Sequence, residues 1–305
     1  MPLEPSRSSL RIGIDLGGSK IAGVVLGRDG TTLASQRVAS PQHDYQATIA
    51  AIELMVGRLE QAVGGTGTVG IGMPGSIAAG GQVQNANSTW LNGQRFGHDL
   101  GRRLNNPLRL ANDANCFALS EAVDGAGAGA RSLFGVILGT GCGGGLLVDG
   151  KLIDGPRGTG GEWGHNPLPW AEASEYPGPT CWCGRKGCIE TWVSGPGLEA
   201  DHLRHTGVAL SAAAIAAAAA GGLAAAGASL ARHASRLARG LAHVVNIFDP
   251  EVVVLGGGLS QLEYLYATLP KLMAPHILAR DSRVSIKPPR WGDASGVRGA
   301  ARLWP

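Results

Sequence analysis

The stretch Leu10-Arg-Ile-Gly-Ile-Asp-Leu-Gly-Gly-Ser-Lys-Ile-Ala-Gly-Val-Val-Leu26 decides the reading of the fold. An apolar run, 10–16, enters the pair Gly17-Gly18, and a second apolar run, 21–26, leaves it. Short apolar runs joined by glycines predict a β-hairpin, because glycine reaches turn conformations that other side chains resist. The runs 133–138 and 145–148, joined by Gly139-Thr-Gly-Cys-Gly-Gly-Gly145, repeat the device about 125 residues later, a spacing too long for a solenoid. Two such units predict two related α/β domains, each built around a sheet, with glycine turns from both facing one cleft. Outward from the first unit, 31–38 and Thr68–Met73 read as strands. Ile49, Ile52, Met55, Val56 and Leu59 give Tyr45–Val63 helical spacing. Residues 108–110 lead into Asn112-Asp113 and a helical 114–123; 252–255 reads as a strand and 259–272 as a helix. The boundary is placed near Leu110, giving a smaller domain of 1–110 and a larger one of 111–295.

The 305 residues suffice for two domains with separate cores. A composition of 44% hydrophobic and 16% charged residues predicts a folded chain. A net charge of +3 without any basic cluster argues against a nucleic-acid partner. Residues 1–9 are polar and lack the apolar core of a signal peptide. Five cysteines without such a signal point to reduced thiols in a cytoplasm. Residues 208–230 carry no charge and have the length of a membrane span. They are mostly alanine and are broken by Gly221-Gly222, so two Ala-rich helices and no membrane partner are expected. The second should continue as an amphipathic helix, with Leu230, Leu237, Leu241, Val244, Val245 and Phe248 near one face. Arg232, Arg236 and Arg239 should lie away from much of that face.

Four places carry chemistry. In Asp15-Leu-Gly17-Gly18-Ser19-Lys20 a strand presents a carboxylate, the glycines admit phosphate oxygens to the backbone, and Ser19 and Lys20 add donors. It is neither a Walker A loop nor a dinucleotide fingerprint; a plain hairpin turn is the alternative. Gly139-Thr140-Gly141 repeats the arrangement, and Gly256-Gly257-Gly258 offers a third close approach to a nucleotide. In Asn112-Asp113 the aspartate is either a helix cap or the general base that takes a sugar hydroxyl's proton in phosphoryl transfer, with Asn112 holding another hydroxyl. His165 with Cys181, Cys183 and Cys188 makes a complete tetrahedral set for structural zinc. Such a site would fix the loops carrying Glu162 and Glu190 as acceptors for sugar hydroxyls, and His165 could use its second ring nitrogen on the substrate. Asn85-Ala-Asn87-Ser-Thr-Trp90 reads as a sugar pocket with Trp90 as a flat wall, or as a loop with one anchoring tryptophan.

Together these motifs resemble the ROK family (repressors, open reading frames, kinases). The resemblance runs from about residue 10 to 304 through Asp15–Lys20, Gly70-Ile-Gly-Met-Pro-Gly75, Asn112-Asp113, Leu138-Gly-Thr-Gly141, Gly161-Glu-Trp-Gly-His165, Cys181-x-Cys183-Gly-x-x-Gly-Cys188-Ile-Glu190 and Leu255-Gly-Gly-Gly258. Within the family the chain is most similar to bacterial fructokinase, also called mannofructokinase or mannokinase, through Asn85-Ala-Asn-Ser-Thr-Trp-Leu-Asn-Gly93, Ala111-Asn-Asp-Ala-Asn-Cys116, Gly161-Glu-Trp-Gly-His-Asn-Pro-Leu-Pro-Trp170 and Ser295-Gly-Val-Arg-Gly-Ala300. It departs in Ser19, where Thr is usual, and in its Ala-rich stretch. The resemblance implies a two-domain, actin-like (ribonuclease H-like) α/β fold with a central cleft, and a helix at about 296–303 returning to the first domain. It implies Asp113 as base, with Asn112, Glu162, His165 and Glu190 on the sugar and Gly75, Ser76 and Asn87 nearby. Asp15 would position Mg²⁺; Gly17, Gly18, Ser19, Lys20, Thr140 and Gly141 would handle ATP phosphates, and Gly256, Gly257 and Gly258 the adenosine. A homodimer is implied. The expected reaction is ATP-dependent phosphorylation of fructose at its 6-hydroxyl, with mannose as a second substrate; glucokinase or N-acetylglucosamine kinase activity is the alternative. A sugar-sensing repressor is remote, because only nine residues precede Leu10 and leave no room for a helix-turn-helix.

Overall fold

The computed structural model describes residues 10–305; the stretch 1–9, read above as lacking a signal peptide, lies outside the described residues. β1 (Arg11–Leu16) and β2 (Lys20–Leu26) form the expected antiparallel hairpin, registered from Arg11 opposite Leu26 to Leu16 opposite Ile21. β3 (Thr32–Ala39) pairs with the outer side of β2. α1 (Tyr45–Val63) starts where the Asp44 side chain accepts from the Ala47 amide and stops at Gly64, whose φ of 65° few other residues tolerate. Its Ile49, Ile52, Met55, Val56 and Leu59 bury against the hairpin and the parallel β4 (Thr68–Met73). A small hairpin of β5 (Ser76–Ile77) and β6 (Val83–Gln84), then α2 (Phe96–Gly101), lead to β7 (Leu108–Asn112), which joins β4 in parallel. The first sheet therefore runs β3-β2-β1-β4-β7.

α3 (Asp113–Val123) follows β7 without a connecting loop. β8 (Ser132–Leu138), β9 (Cys142–Val148) and β10 (Lys151–Leu152) form the second antiparallel unit. Gly145 lies in the ladder of β9 as the start of the expected strand, but Gly143 and Gly144, expected in the turn, lie in that ladder too. α3 crosses β9 there: a Cβ on Gly145 would stand 2.7 Å from the carbonyl oxygen of Ala114. β11 (Val252–Gly256) adds to β8 in parallel and β12 (Ser285–Lys287) to β11, so the second sheet runs β10-β9-β8-β11-β12.

Against this sheet pack α4 (Glu190–Val193), α5 (Gly195–Thr206), α6 (Ala212–Ala220), α7 (Ala224–Phe248) and α8 (Tyr264–Met273). α6 and α7 are the two expected Ala-rich helices; they bend by 118° at their break, and no single described helix is long and apolar enough to cross a membrane. The expected helix at 259–272 is a 3₁₀ turn, Gly258–Gln261, followed by α8. Arg236 and Arg239 depart from expectation. They are 5% and 4% exposed and inserted in the interior, where Arg236 binds Glu175 and Asp201 and Arg239 binds Glu175 at both carboxylate oxygens. The last helix, α9 (Ser295–Ala301), wedges between β1, β4 and α3, so the chain does return to its first sheet. The fit needs Gly299, since any Cβ there would collide with the carbonyl of Cys116.

Candidate active site

Asp113 is the first helical residue of α3, at the point where β7 ends. The preceding residue caps the helix: Asn112 Oδ1 accepts from the amides of Ala114 (2.8 Å) and Asn115 (3.4 Å), and its Nδ2 donates to the Gly75 carbonyl (3.0 Å). These bonds orient the side-chain amide and leave its second N–H uncommitted in the cleft that Asn112 lines. Asp113 is free for chemistry; one oxygen accepts from the Ala114 amide at 2.8 Å. Burial, reinforced by the negative charges of Asp15 and Glu162, pushes its carboxyl up to about 7 against that hydrogen bond. A carboxylate poised near neutrality suits a general base.

Asp113 faces a chamber of about 390 Å³. Gly75, Asn87 and Asn112 line it from the first half of the chain, and Thr140, Gly141, Glu162, His165 and Glu190 from the second. Ser76 does not line it: it is buried beside the chamber, its Oγ accepting from Gln84 Nε2 at 3.1 Å. Of the two readings of Trp90, the structure supports the anchoring one. It donates to Thr48 Oγ1 (3.3 Å) and packs edge-on against His43, so it anchors its loop to α1 instead of walling the sugar pocket. The turn Gly17-Gly18-Ser19-Lys20 stands outside the chamber, with Ser19 and Lys20 exposed and Lys20 3.8 Å from Asp293. Gly256 ends β11 and Gly257 and Gly258 follow it, also outside the chamber. Burial raises the Asp15 carboxyl, with Lys20 and Arg37 opposing, and among the described residues it forms no ion pair. The charges of Asp15 and Glu162 both raise the proton affinity of Asp113, and acidic groups gathered in this way suit a divalent cation, so the residues fit Mg²⁺ with Asp15 as its anchor.

The opposite wall is the segment between β10 and α4. Trp163 is buried and donates from Nε1 to the Gly143 carbonyl (3.0 Å), and this pins the short turn Trp163–His165 that displays Glu162 and His165. Burial raises the Glu162 carboxyl, and Glu190 adds to this while His165 opposes it. The two ring nitrogens of His165 face different neighbours: Nε2 lies 4.0 Å from Glu162, and Nδ1 lies 3.6 Å from Cys181 Sγ. The donor atoms of His165, Cys181, Cys183 and Cys188 all fall within 4.8 Å of one another, and Cys183 Sγ is 3.6 Å from Cys188 Sγ. A tetrahedron with Zn–S bonds of about 2.3 Å has edges of about 3.8 Å, so these residues fit a closed structural zinc site.

Glu190, the first residue of α4, accepts from the Cys142 amide (2.9 Å) at one oxygen and from Trp182 Nε1 (2.7 Å) at the other. Trp182 also meets His165 edge-on, with ring centroids 4.9 Å apart. It lines the chamber and was missed in the sequence, where its signal was an aromatic residue set between two candidate metal ligands.

A model described as the ROK family matches residues 11–305. N-acetyl-D-glucosamine kinase of Photobacterium profundum is 40% identical over 296 residues, covering 95% of this chain and 98% of that protein. An N-acetylgalactosamine kinase of a Shewanella species is 38% identical over 296 residues, covering 95% of each. The crystal structure of a ROK hexokinase from Thermus thermophilus superposes with a TM-score of 0.84 at 30% identity, covering 96% of both chains. The actin-like sugar-kinase fold with its central cleft, expected above, is therefore the fold of this chain.

Proposed function

The chain belongs to the ROK family and is a sugar kinase, and from that premise we propose that it transfers the γ-phosphate of ATP to the 6-hydroxyl of N-acetyl-D-glucosamine. The observation that carries the chemistry is Asp113, a carboxyl held near 7 and facing a chamber that Glu162, His165 and Glu190 also line. The sugar hydroxyl gives its proton to Asp113 as its oxygen attacks the γ-phosphorus in line, and ADP leaves. His165 Nε2 and the carboxylates of Glu162 and Glu190 hold the other ring substituents. Thr140, Gly141 and the turn Gly17-Gly18-Ser19-Lys20 take phosphate oxygens, and Gly256, Gly257 and Gly258 give the adenosine a close approach. Mg²⁺, held from the side of Asp15, would neutralise charge on the phosphates. Zinc on His165, Cys181, Cys183 and Cys188 would keep the second wall in shape. In this reading residues 1–110 with α9 form one closing domain and 111–295 the other.

The choice of sugar draws on relatives that are kinases of N-acetylated hexosamines, which moves fructose from first to second place. Fructose, with mannose, stays as the second reading because of the similarity of Asn85–Gly93 and Gly161–Trp170 to fructokinase. A coupled ADP-release assay across N-acetylglucosamine, N-acetylgalactosamine, glucose, mannose and fructose decides between them. The highest kcat/KM is expected on N-acetylglucosamine. A higher value on fructose reverses the order, and turnover of no sugar at all removes the kinase reading.

A further inference from the structure

The chamber in front of Asp113 does not close behind the sugar-facing residues. A second space, of about 770 Å³, adjoins it and shares Asn85, Glu162, His165 and Trp182 with it. Beyond these four the second space has an apolar side of Phe134, Leu146, Val244, Ile247 and Phe248, set beside the polar Asn166, Arg185 and His243. The residue with the most bulk at the junction is Trp182. It is 57% exposed, so its indole is not held by burial in a core. It is held instead by the 2.7 Å hydrogen bond to Glu190 and the edge contact with His165. The same bond fixes Glu190, whose other oxygen is already tied to the Cys142 amide.

We propose that Trp182 is the specificity-determining residue of the sugar site: it partitions one continuous cleft, and its bulk sets how large a substituent the bound sugar can extend into the second space. The proposal rests on the sugar-kinase reading. Two physical points carry it. A plain hexose offers only hydroxyls, which Glu162, His165 and Glu190 satisfy on the near side of Trp182. An acylated amino sugar adds a planar amide and a hydrocarbon tail; the tail gains from apolar walls only if it passes the indole. Selectivity for such a tail is set by the space offered to each added methylene. Trp182 also acts on Glu190 through its Nε1, so substitution has two separable consequences: the passage widens when the ring is removed, and Glu190 loosens when the donor is removed.

The test compares kcat/KM for glucose, N-acetylglucosamine and N-butanoylglucosamine in the wild type, Trp182→Phe and Trp182→Ala, with bound metal and thermal melting measured on each protein. Trp182→Ala is expected to raise the ratio of N-butanoylglucosamine to glucose by about tenfold or more, the discrimination that a few methylenes carry in a pocket. Trp182→Phe keeps most of the bulk and loses the donor. Its expected signature is a higher KM for every sugar with the ratio between sugars kept. If Trp182→Ala does not fold, Trp182→Leu carries the same expectation, since it also removes the aromatic wall. An unmoved ratio, or a uniform loss on all three sugars, overturns the role of Trp182 and leaves the kinase reading standing. A wild type inactive on the whole panel removes both.

Discussion

The wall that carries Asp113 and the wall that carries Glu162, His165 and Glu190 face the same chamber and are held in different ways. In the first, β7 passes straight into α3; a sheet ladder lies behind the carboxylate and Asn112 caps the helix it starts. In the second, no strand or α-helix runs from the end of β10 at Leu152 to the start of α4 at Glu190. That segment is fixed at a few points: Trp163 on the Gly143 carbonyl, the thiol and imidazole cluster, and Glu175 against Arg236 and Arg239. Regular backbone pairing places a catalytic group with few side chains. A wall of loop needs cross-links that reach it from distant parts of the chain.

The largest effect should come from removing chemistry at the rigid wall. Asp113→Asn is expected to lower kcat by about 10²- to 10⁴-fold with unchanged denaturant stability, because the helix cap belongs to Asn112. In the wild type, kcat/KM should fall as the pH drops below about 7, since the base works only when its raised carboxyl is ionised. An acid limb at the ordinary carboxylate pH would contradict the burial described for Asp113. At the loop wall the ranking should invert, with stability failing first. Glu175→Gln leaves Arg239 buried without its counter-charge and Arg236 with Asp201 alone, and is expected to destabilise by about 3–5 kcal/mol in urea unfolding. Burial alone would raise the Glu175 carboxyl, but Arg239 and Arg236 outweigh it and hold it at about 2. The stabilisation is therefore complete above the ordinary carboxylate range and is lost only as the pH falls towards 2. A Glu175→Gln protein of wild-type stability would show that the loop is held elsewhere. The smallest effect tests the cap: Asn112→Ala should cost about 1 kcal/mol of stability and lower kcat less than Asp113→Asn does. A larger loss of turnover would mean that Asn112 touches substrate.

How legible each wall was follows from the same contrast. The hairpin of β1 and β2, the helix α1 and the pairing of Asn112 with Asp113 could be read because their signals are local: glycines between apolar runs, a 3.6-residue spacing, polar residues where strand meets helix. Gly143 and Gly144 were assigned to a turn because sequence cannot show that α3 crosses the strand they form with Gly145. Arg236 and Arg239 were placed off the buried face because a guanidinium is expected in water, and their partner Glu175 lies 61 and 64 residues away. The grouping of His165 with three cysteines was readable from residue type, whereas the two bonds that orient Glu190 depend on how the loop folds back. Trp90 and Trp182 illustrate the limit. Both stand beside polar residues in loops, and only tertiary packing sends the first to α1 and the second to the cleft.

α9 has a bearing on how the protein is made. Its seven residues come long after β1 and β4 in the chain, yet they fill the groove between β1, β4 and α3, where Gly299 lies on the backbone of Cys116. During synthesis the chain emerges N-terminus first, so the earliest strands must wait for α9 before that face is covered. Until α9 emerges, a nascent chain exposes that side of its first sheet, and a chain cut before Ser295 cannot close it. Synthesis of α9 thus acts as a checkpoint on the assembly of the cleft.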